Sequence, residues 1–130
     1  MATIGGSAVG GELSQTVAAS AARTAAFTSD DFVVPYAKGA HFVINVSAIT
    51  DTPVLTPIIE GKDPISGNYY TILQGANITT VSTTVLKVYP GITASANAAV
   101  SDILPRTWRV RITVGDTDSA TYSIAASLAP

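Results

Sequence analysis

Cysteine is absent from the chain, which excludes disulfides, thiolate metal sites and thiol catalysis together. Charge is scarce as well. Lys, Arg, Asp and Glu make up 12% of the 130 residues, about half of the roughly 25% usual in soluble domains. There is one histidine, His41, and the only glutamates are Glu12 and Glu60. A nucleophile–base arrangement or a His-ligated metal needs several converging groups. Glycoside cleavage by paired carboxylates would require one of the two glutamates to meet an aspartate across the fold, and no spacing brings one near. The chain therefore reads as non-enzymatic, with no cofactor and no metal.

Basic clusters are missing too. The seven Lys and Arg residues are scattered with no two adjacent, and the net charge is −2, so the electrostatic footprint of a nucleic-acid binder is lacking. The longest uncharged stretch, Pro64 to Leu86, holds Asn68, Tyr69, Tyr70, Gln74, Asn77 and five threonines; such a segment does not span a bilayer. Met1 to Gly11 has neither a basic start nor a sustained apolar run, so no secretory signal is expected and the protein is expected to be soluble as made.

Small residues fill the chain instead: 20 Ala, 17 Thr and 12 Ser, with a mean hydropathy of +0.37. A surface built from Ser, Thr and Ala carries few ions to desolvate, which lowers the cost of burying it against a partner. An oligomer or a docked subunit is expected rather than a free monomer.

Along the chain, residues 1–11 contain four glycines and little that packs, the composition of a flexible arm. Residues 12–130 form the domain. Phe42, Ile44, Val46 and Ala48 alternate with His41, Val43, Asn45 and Ser47, the period of a half-buried strand. Trp108, Val110, Ile112 and Val114 alternate in the same way with Thr107, Arg109, Arg111 and Thr113. After Gly115 to Ser119, the residues Ala120, Tyr122, Ile124, Ala126 and Leu128 form a third such run. The last two runs, joined by turn residues, predict a hairpin. A second hairpin is predicted from Val54–Glu60 and Tyr69–Leu73, around Gly61, Asp63-Pro64 and Gly67-Asn68. Pro57 predicts that the outgoing strand is an edge or carries a bulge, because proline donates nothing to a ladder. Weaker strands are Leu13–Ala18, Ala25–Val34 (broken at Asp30-Asp31) and Val85–Tyr89. Thr16–Ala26 and Ser95–Leu104 have helix-compatible composition, but neither carries the apolar stripe of a docked helix. The second is expected to be mostly loop ahead of Pro105. Seven or eight strands at such spacing predict an all-β, single antiparallel β-sandwich or jelly roll.

Isolated motifs have ordinary explanations. Asp116 and Asp118 lack a third acidic ligand, so Asx turns explain them better than a calcium loop. Asp30-Asp31 is read likewise. Gly5-Gly6 and Gly10-Gly11 have neither a preceding strand nor a following Lys-Ser/Thr, so they form no phosphate loop. Asn45-Val46-Ser47 and Asn77-Ile78-Thr79 match the glycosylation acceptor by chance, since no signal peptide is expected. His41 is expected at solvent or at an interface. Trp108 is expected to anchor the core, while Arg109 and Arg111 face outward, ready for carboxylates such as Asp102, Asp116 or a neighbouring subunit. Tyr69 and Tyr70 point to opposite faces, one expected in the core and one exposed. The candidate interface is Tyr69, Tyr70, Lys62, Asp63, Arg109 and Arg111.

Four segments are distinctive in combination: Glu60 to Leu73, Val85 to Thr93, Asp102 to Val110 and Asp116 to Ser123. They resemble a family of small proteins of tailed phages and prophages, from about Ser14 to the C-terminus, without a catalytic signature. The resemblance implies a virion structural protein and carries over no functional residue. The leading expectation is a capsid decoration (cement) protein on the outside of the head, a homotrimer whose partners are the major capsid protein or other virion subunits, with the arm reaching across subunit boundaries. The alternatives are a tail, neck or fibre-associated protein, and a β-sandwich module for glycans or host surfaces with Tyr69, Tyr70 and Trp108 as stacking platforms. The expected location is the virion, with no nucleic acid and no membrane engaged.

Overall fold

A computed structural model describes residues 14–130; the arm assigned to residues 1–11 lies outside the described residues. The fold is all-β, in two sheets, an arrangement compatible with a β-sandwich, and the described residues include no helix. The strands are β1 (Ser14–Arg23), β2 (Phe27–Thr28), β3 (Phe32–Val33), β4 (Gly39–Ile49), β5 (Leu55–Lys62), β6 (Tyr69–Gln74), β7 (Ser82–Val88), β8 (Ala99–Val100), β9 (Thr107–Val114) and β10 (Ala120–Ala129). Sheet 1 runs β1-β10-β4-β7-β8; sheet 2 runs β2-β9-β5-β6, with β3 also on β9.

Period-2 alternation builds the core. Phe42, Ile44 and Val46 of β4, Tyr122 and Ile124 of β10, and Leu86 and Val88 of β7 form the inner face of sheet 1. Trp108, Val110 and Ile112 of β9 and Ile59 of β5 form that of sheet 2. Trp108 joins the layers. Phe42 from the opposite sheet meets its ring edge-on at 5.2 Å between centroids, and Phe32 of the adjacent strand stacks on it at 4.8 Å. Burying a ring of this size removes ~150–250 Å² from water, on the order of 4–6 kcal/mol as an upper bound. The buried Nε1 of Trp108 and hydroxyl of Tyr122 have no hydrogen-bond partner among the described residues.

The predicted β9–β10 hairpin does not form. β9 pairs with β2, β3 and β5, whereas β10 pairs with β1 and β4, and the two lie in different sheets. Turn residues between two alternating runs suit a hairpin or a crossing between layers equally, and here tertiary contacts decide. Gly115 donates its N–H to the Val54 carbonyl, and the Asp118 carboxylate accepts from the Thr52 N–H. Both contacts tie the loop to the β4–β5 crossing rather than to its own stem.

The β5–β6 hairpin forms as predicted. β5 is not an edge, however, since β9 flanks it on the other side, and its register shift lies between Ile59 and Glu60, not at Pro57. The missing donor is tolerated for a local reason. In an extended residue, N and O point to the same side. The Pro57 carbonyl accepts from Gly75 N–H on the β6 side, where the β6 ladder has just ended at Ile58↔Gln74. The β9 ladder loses nothing.

The Ala-rich segment at Thr16 is the ten-residue strand β1, extending to Arg23, five residues beyond the predicted end at Ala18. Two register shifts interrupt its pairing with β10. Arg23 fastens its end: the guanidinium donates to the Tyr122, Ala19 and Ala21 carbonyls and lies over the rings of Tyr122 in sheet 1 and Phe27 in sheet 2. The segment broken at Asp30-Asp31 becomes the short strands β2 and β3. Between them Ser29 replaces the ladder: its N–H donates to the Val110 carbonyl, and its hydroxyl accepts from Val110 N–H.

Candidate functional site

The outer face of sheet 2 gathers most of the candidate interface residues into one network. Glu60 of β5 and Arg109 of β9 are direct cross-strand partners. Arg109 Nε donates to Glu60 Oε1 at 2.8 Å, and Arg111 reaches Oε2 from Nη2 at 3.2 Å. Glu60 is buried at 6% exposure, so its charge persists only because two guanidiniums share it. Burial raises its carboxyl pKa, but the hydrogen bonds and charges of Arg109 and Arg111 outweigh that and hold it below the ordinary carboxylate range. From the sequence, Asp102, Asp116 or another subunit is expected to pair with these arginines. Their partner is Glu60, placed by the β5–β9 register that no local pattern reveals.

Arg109 also lies over the Tyr69 ring, 3.3 Å from its centroid, a stacking contact suited to guanidinium. The Tyr69 hydroxyl donates to both carboxylate oxygens of Asp31 at 2.8 and 3.0 Å. Lys62 Nζ meets Asp31 Oδ2 at 3.0 Å. Asp31 is held below its ordinary value by the Tyr69 hydrogen bond first and by Lys62 second, and Lys62 is raised in return by Asp31. The network thus ties the β2–β3 connection to β5, β6 and β9.

The other candidates lie apart from it. Asp63 belongs to the hairpin loop, accepting from Ile65 N–H and the Ser66 hydroxyl, which lower its pKa. Tyr70 pairs with Gly61 and is half exposed. A Cβ on Gly61 would lie 2.6 Å from the Tyr70 ring and 2.7 Å from Pro105, so glycine lets both close over that strand end. Tyr69 and Tyr70 do face opposite sides, but neither enters the core: Arg109 and Asp31 hold Tyr69 on the outer face, and Tyr70 lies where the core ends. Trp108 is fully buried, which withdraws it from any stacking platform.

The outer face of sheet 1 has a different composition. Thr121, Ser123, Ala125 and Ser127 of β10 lie beside His41, Val43, Asn45 and Ser47 of β4, followed by Thr83, Val85 and Lys87 of β7. Lys87 is the one Lys, Arg, Asp or Glu side chain among them. At the strand ends a groove of about 320 Å³ is lined by His41, Lys87, Tyr89, Ile92, Ser127 and Leu128, among others. Of this set, only His41 is expected from the sequence at solvent or at an interface. Residues 40 apart in sequence and more converge here, and only the strand order brings them together.

No protein-family model matches the sequence, and no curated protein matches it. Among the described residues no group of three or more His, Asp or Glu side chains is placed to hold a metal ion. Asp116 and Asp118 form the expected Asx turn, Asp116 Oδ1 accepting from Asp118 N–H.

Proposed function

We propose that the chain is a structural subunit of a tailed-phage virion, a capsid decoration protein that binds the outside of the head as a homotrimer. The observation that supports this most is the ion-poor outer face of sheet 1, which crosses β10, β4 and β7 with one charged side chain. A face of Ser, Thr, Ala and Val gives up little hydration when a partner covers it. The neighbouring sheet keeps its ions engaged with one another, so docking leaves no charge stranded there.

We also infer that the sandwich is wound as a jelly roll. β1 pairs with β10, β2 and β3 with β9, β4 with β7, and β5 with β6. The first half of the chain thus meets the second in reverse order, as in a long hairpin wrapped into two sheets, with β8 as an addition. Jelly rolls of this kind serve in capsid and lectin domains, a fold-level analogy that agrees with the reading without carrying it.

A decoration protein binds only the assembled shell and stabilises it by mass action. Purified expanded heads are therefore expected to bind the chain saturably and to melt at a higher temperature when occupied. Failure to bind heads, with the protein recovered in isolated tails, would move the assignment to a tail or neck component.

A further inference from the structure

The groove at the ends of β4, β7 and β10 holds a cation that the described residues leave unmatched. Ser127, His41 and Lys87 are consecutive cross-strand partners over the three strands, and all three are exposed. Two residues further along the same face come Ala129 and its partner Gly39, with Tyr89 just past the end of β7. A Cβ on Gly39 would lie 2.5 Å from Tyr89 Cδ1, so glycine there leaves room for the tyrosine ring against β4. The Tyr89 hydroxyl donates to the Pro130 carbonyl at 3.4 Å, which draws the ring across β4 toward the end of β10. This ring, the Ser127–His41–Lys87 row and Ile92 of the β7–β8 connection all line the groove of about 320 Å³.

Charge decides what such a groove accepts. Among the described residues the ion pairs are Lys62–Asp31, Arg109–Glu60 and Arg111–Glu60, all on sheet 2. Lys87 belongs to none of them, and no Asp or Glu lines the groove. A partner covering Lys87 with neutral surface would strip water from an ammonium and return nothing. A partner carboxylate would return a charge-assisted hydrogen bond, and the His41 imidazole directly opposite supplies a second donor. Beside these groups the lining is apolar, with Tyr89, Ile92 and Leu128, and suits an aliphatic side chain.

We propose that this groove anchors the docking partner by an extended acidic–aliphatic segment of that protein. Its carboxylate meets Lys87 and His41, and a neighbouring aliphatic side chain rests on Tyr89 and Ile92. This rests on the reading that the outer face of sheet 1 docks onto a protein shell, and it names the chemistry that shell must present.

Two end-blocked synthetic pentapeptides, Gly-Leu-Asp-Leu-Gly and Gly-Leu-Asn-Leu-Gly, test it when titrated into the isotope-labelled full-length chain and followed by amide chemical shifts. The aspartate peptide is expected to shift Ile92, Ser127 and Ala129 saturably. It should bind about fivefold more tightly than the asparagine peptide, the worth of one exposed ion pair. In Lys87→Gln the two peptides should bind alike, at the weaker affinity. The unfolding midpoint of that variant should not move, because Lys87 is exposed and holds no ion pair among the described residues. Equal affinity of the wild type for both peptides, a difference that survives Lys87→Gln, or shifts confined to other faces overturns the proposal. So does aspartate-peptide binding that appears only in Glu12→Gln, since a carboxylate of the chain's own first residues would then be the occupant. Octanoate binding more tightly than the peptide would replace the protein segment with a lipid carboxylate and also overturn it. Purified expanded heads separate this inference from the function assigned above. The wild type is expected to bind them about tenfold or more tightly than Lys87→Glu does. Heads that bind both alike remove the inference and leave the function. A chain that distinguishes the two peptides yet binds no heads keeps the groove's chemistry and removes the function.

Discussion

On sheet 2, Asp31, Glu60, Lys62, Arg109 and Arg111 share one outer face and are linked by three ion pairs. On sheet 1 the equivalent positions of β10 and β4 are Thr121, Ser123, Ala125 and Ser127 beside His41, Val43, Asn45 and Ser47. A chain with so few charges has concentrated them where they fasten strands from distant parts of the sequence, and has left the other face almost without ions. The low overall charge is therefore uneven in its consequences. One face uses ions for internal cohesion, and the other is inexpensive to desolvate. Arg109, Arg111 and Tyr69 are engaged inside their own chain, which leaves them less to offer a partner.

The largest effect expected is at Glu60. Replacing it with glutamine leaves the part-exposed Arg109 and Arg111 without their counter-charge, and loss of charge-assisted hydrogen bonds of this kind costs about 1.5–3 kcal/mol. A fall of that size in the denaturant-unfolding free energy of Glu60→Gln is expected. If the loss is under 1 kcal/mol, the network is a surface decoration rather than a fastening, and the contrast between the faces loses its energetic meaning.

Acid should act on the same face. Glu60 and Asp31 are both held below their ordinary values, 4.5 and 3.8. The folded chain therefore binds fewer protons than the unfolded chain in this range, and stability falls as pH falls. The contribution is complete above the ordinary values and is lost as pH drops through the depressed ones. Urea midpoints measured from pH 6 downward should decline below about pH 4.5. The decline should be shallower in Glu60→Gln, which cannot contribute its part. Equal slopes in the two proteins would show that other carboxylates dominate.

Legibility in the sequence followed the same divide between local and distant. The strands β4, β9 and β10 are visible because each has one buried face, and alternation records that face residue by residue. The β5–β6 hairpin was visible because Asp63-Pro64 and Gly67-Asn68 encode its turn. The β9–β10 link was misread because turn chemistry does not state whether the chain returns to its own sheet or crosses to the next. β1 was cut short because alanine carries little strand preference, and its extension to Arg23 depends on β10 and on the Arg23 contacts. Glu60 was weighed only as a catalytic carboxylate, since its two arginine partners are 49 and 51 residues away. The groove escaped for the same reason: it is a product of strand order.

The smallest effect on stability, and the sharpest on the comparison, is expected on sheet 1. Ser123 and Asn45 are direct cross-strand partners, and Asn45 Oδ1 accepts from the Thr83 hydroxyl. The double variant Ser123→Glu, Asn45→Lys loses that exposed hydrogen bond and gains a cross-strand ion pair of about 0.2–1 kcal/mol. Its unfolding free energy should stay within about 0.5 kcal/mol of wild type. Docking should respond differently, because covering the new pair requires stripping water from two ions at the centre of the face. Head binding weakened about tenfold or more, with stability intact, would identify this ion-poor face as the docking surface. Unchanged binding would show that the partner is met elsewhere, and the absence of charge on sheet 1 would then be a property of the fold alone.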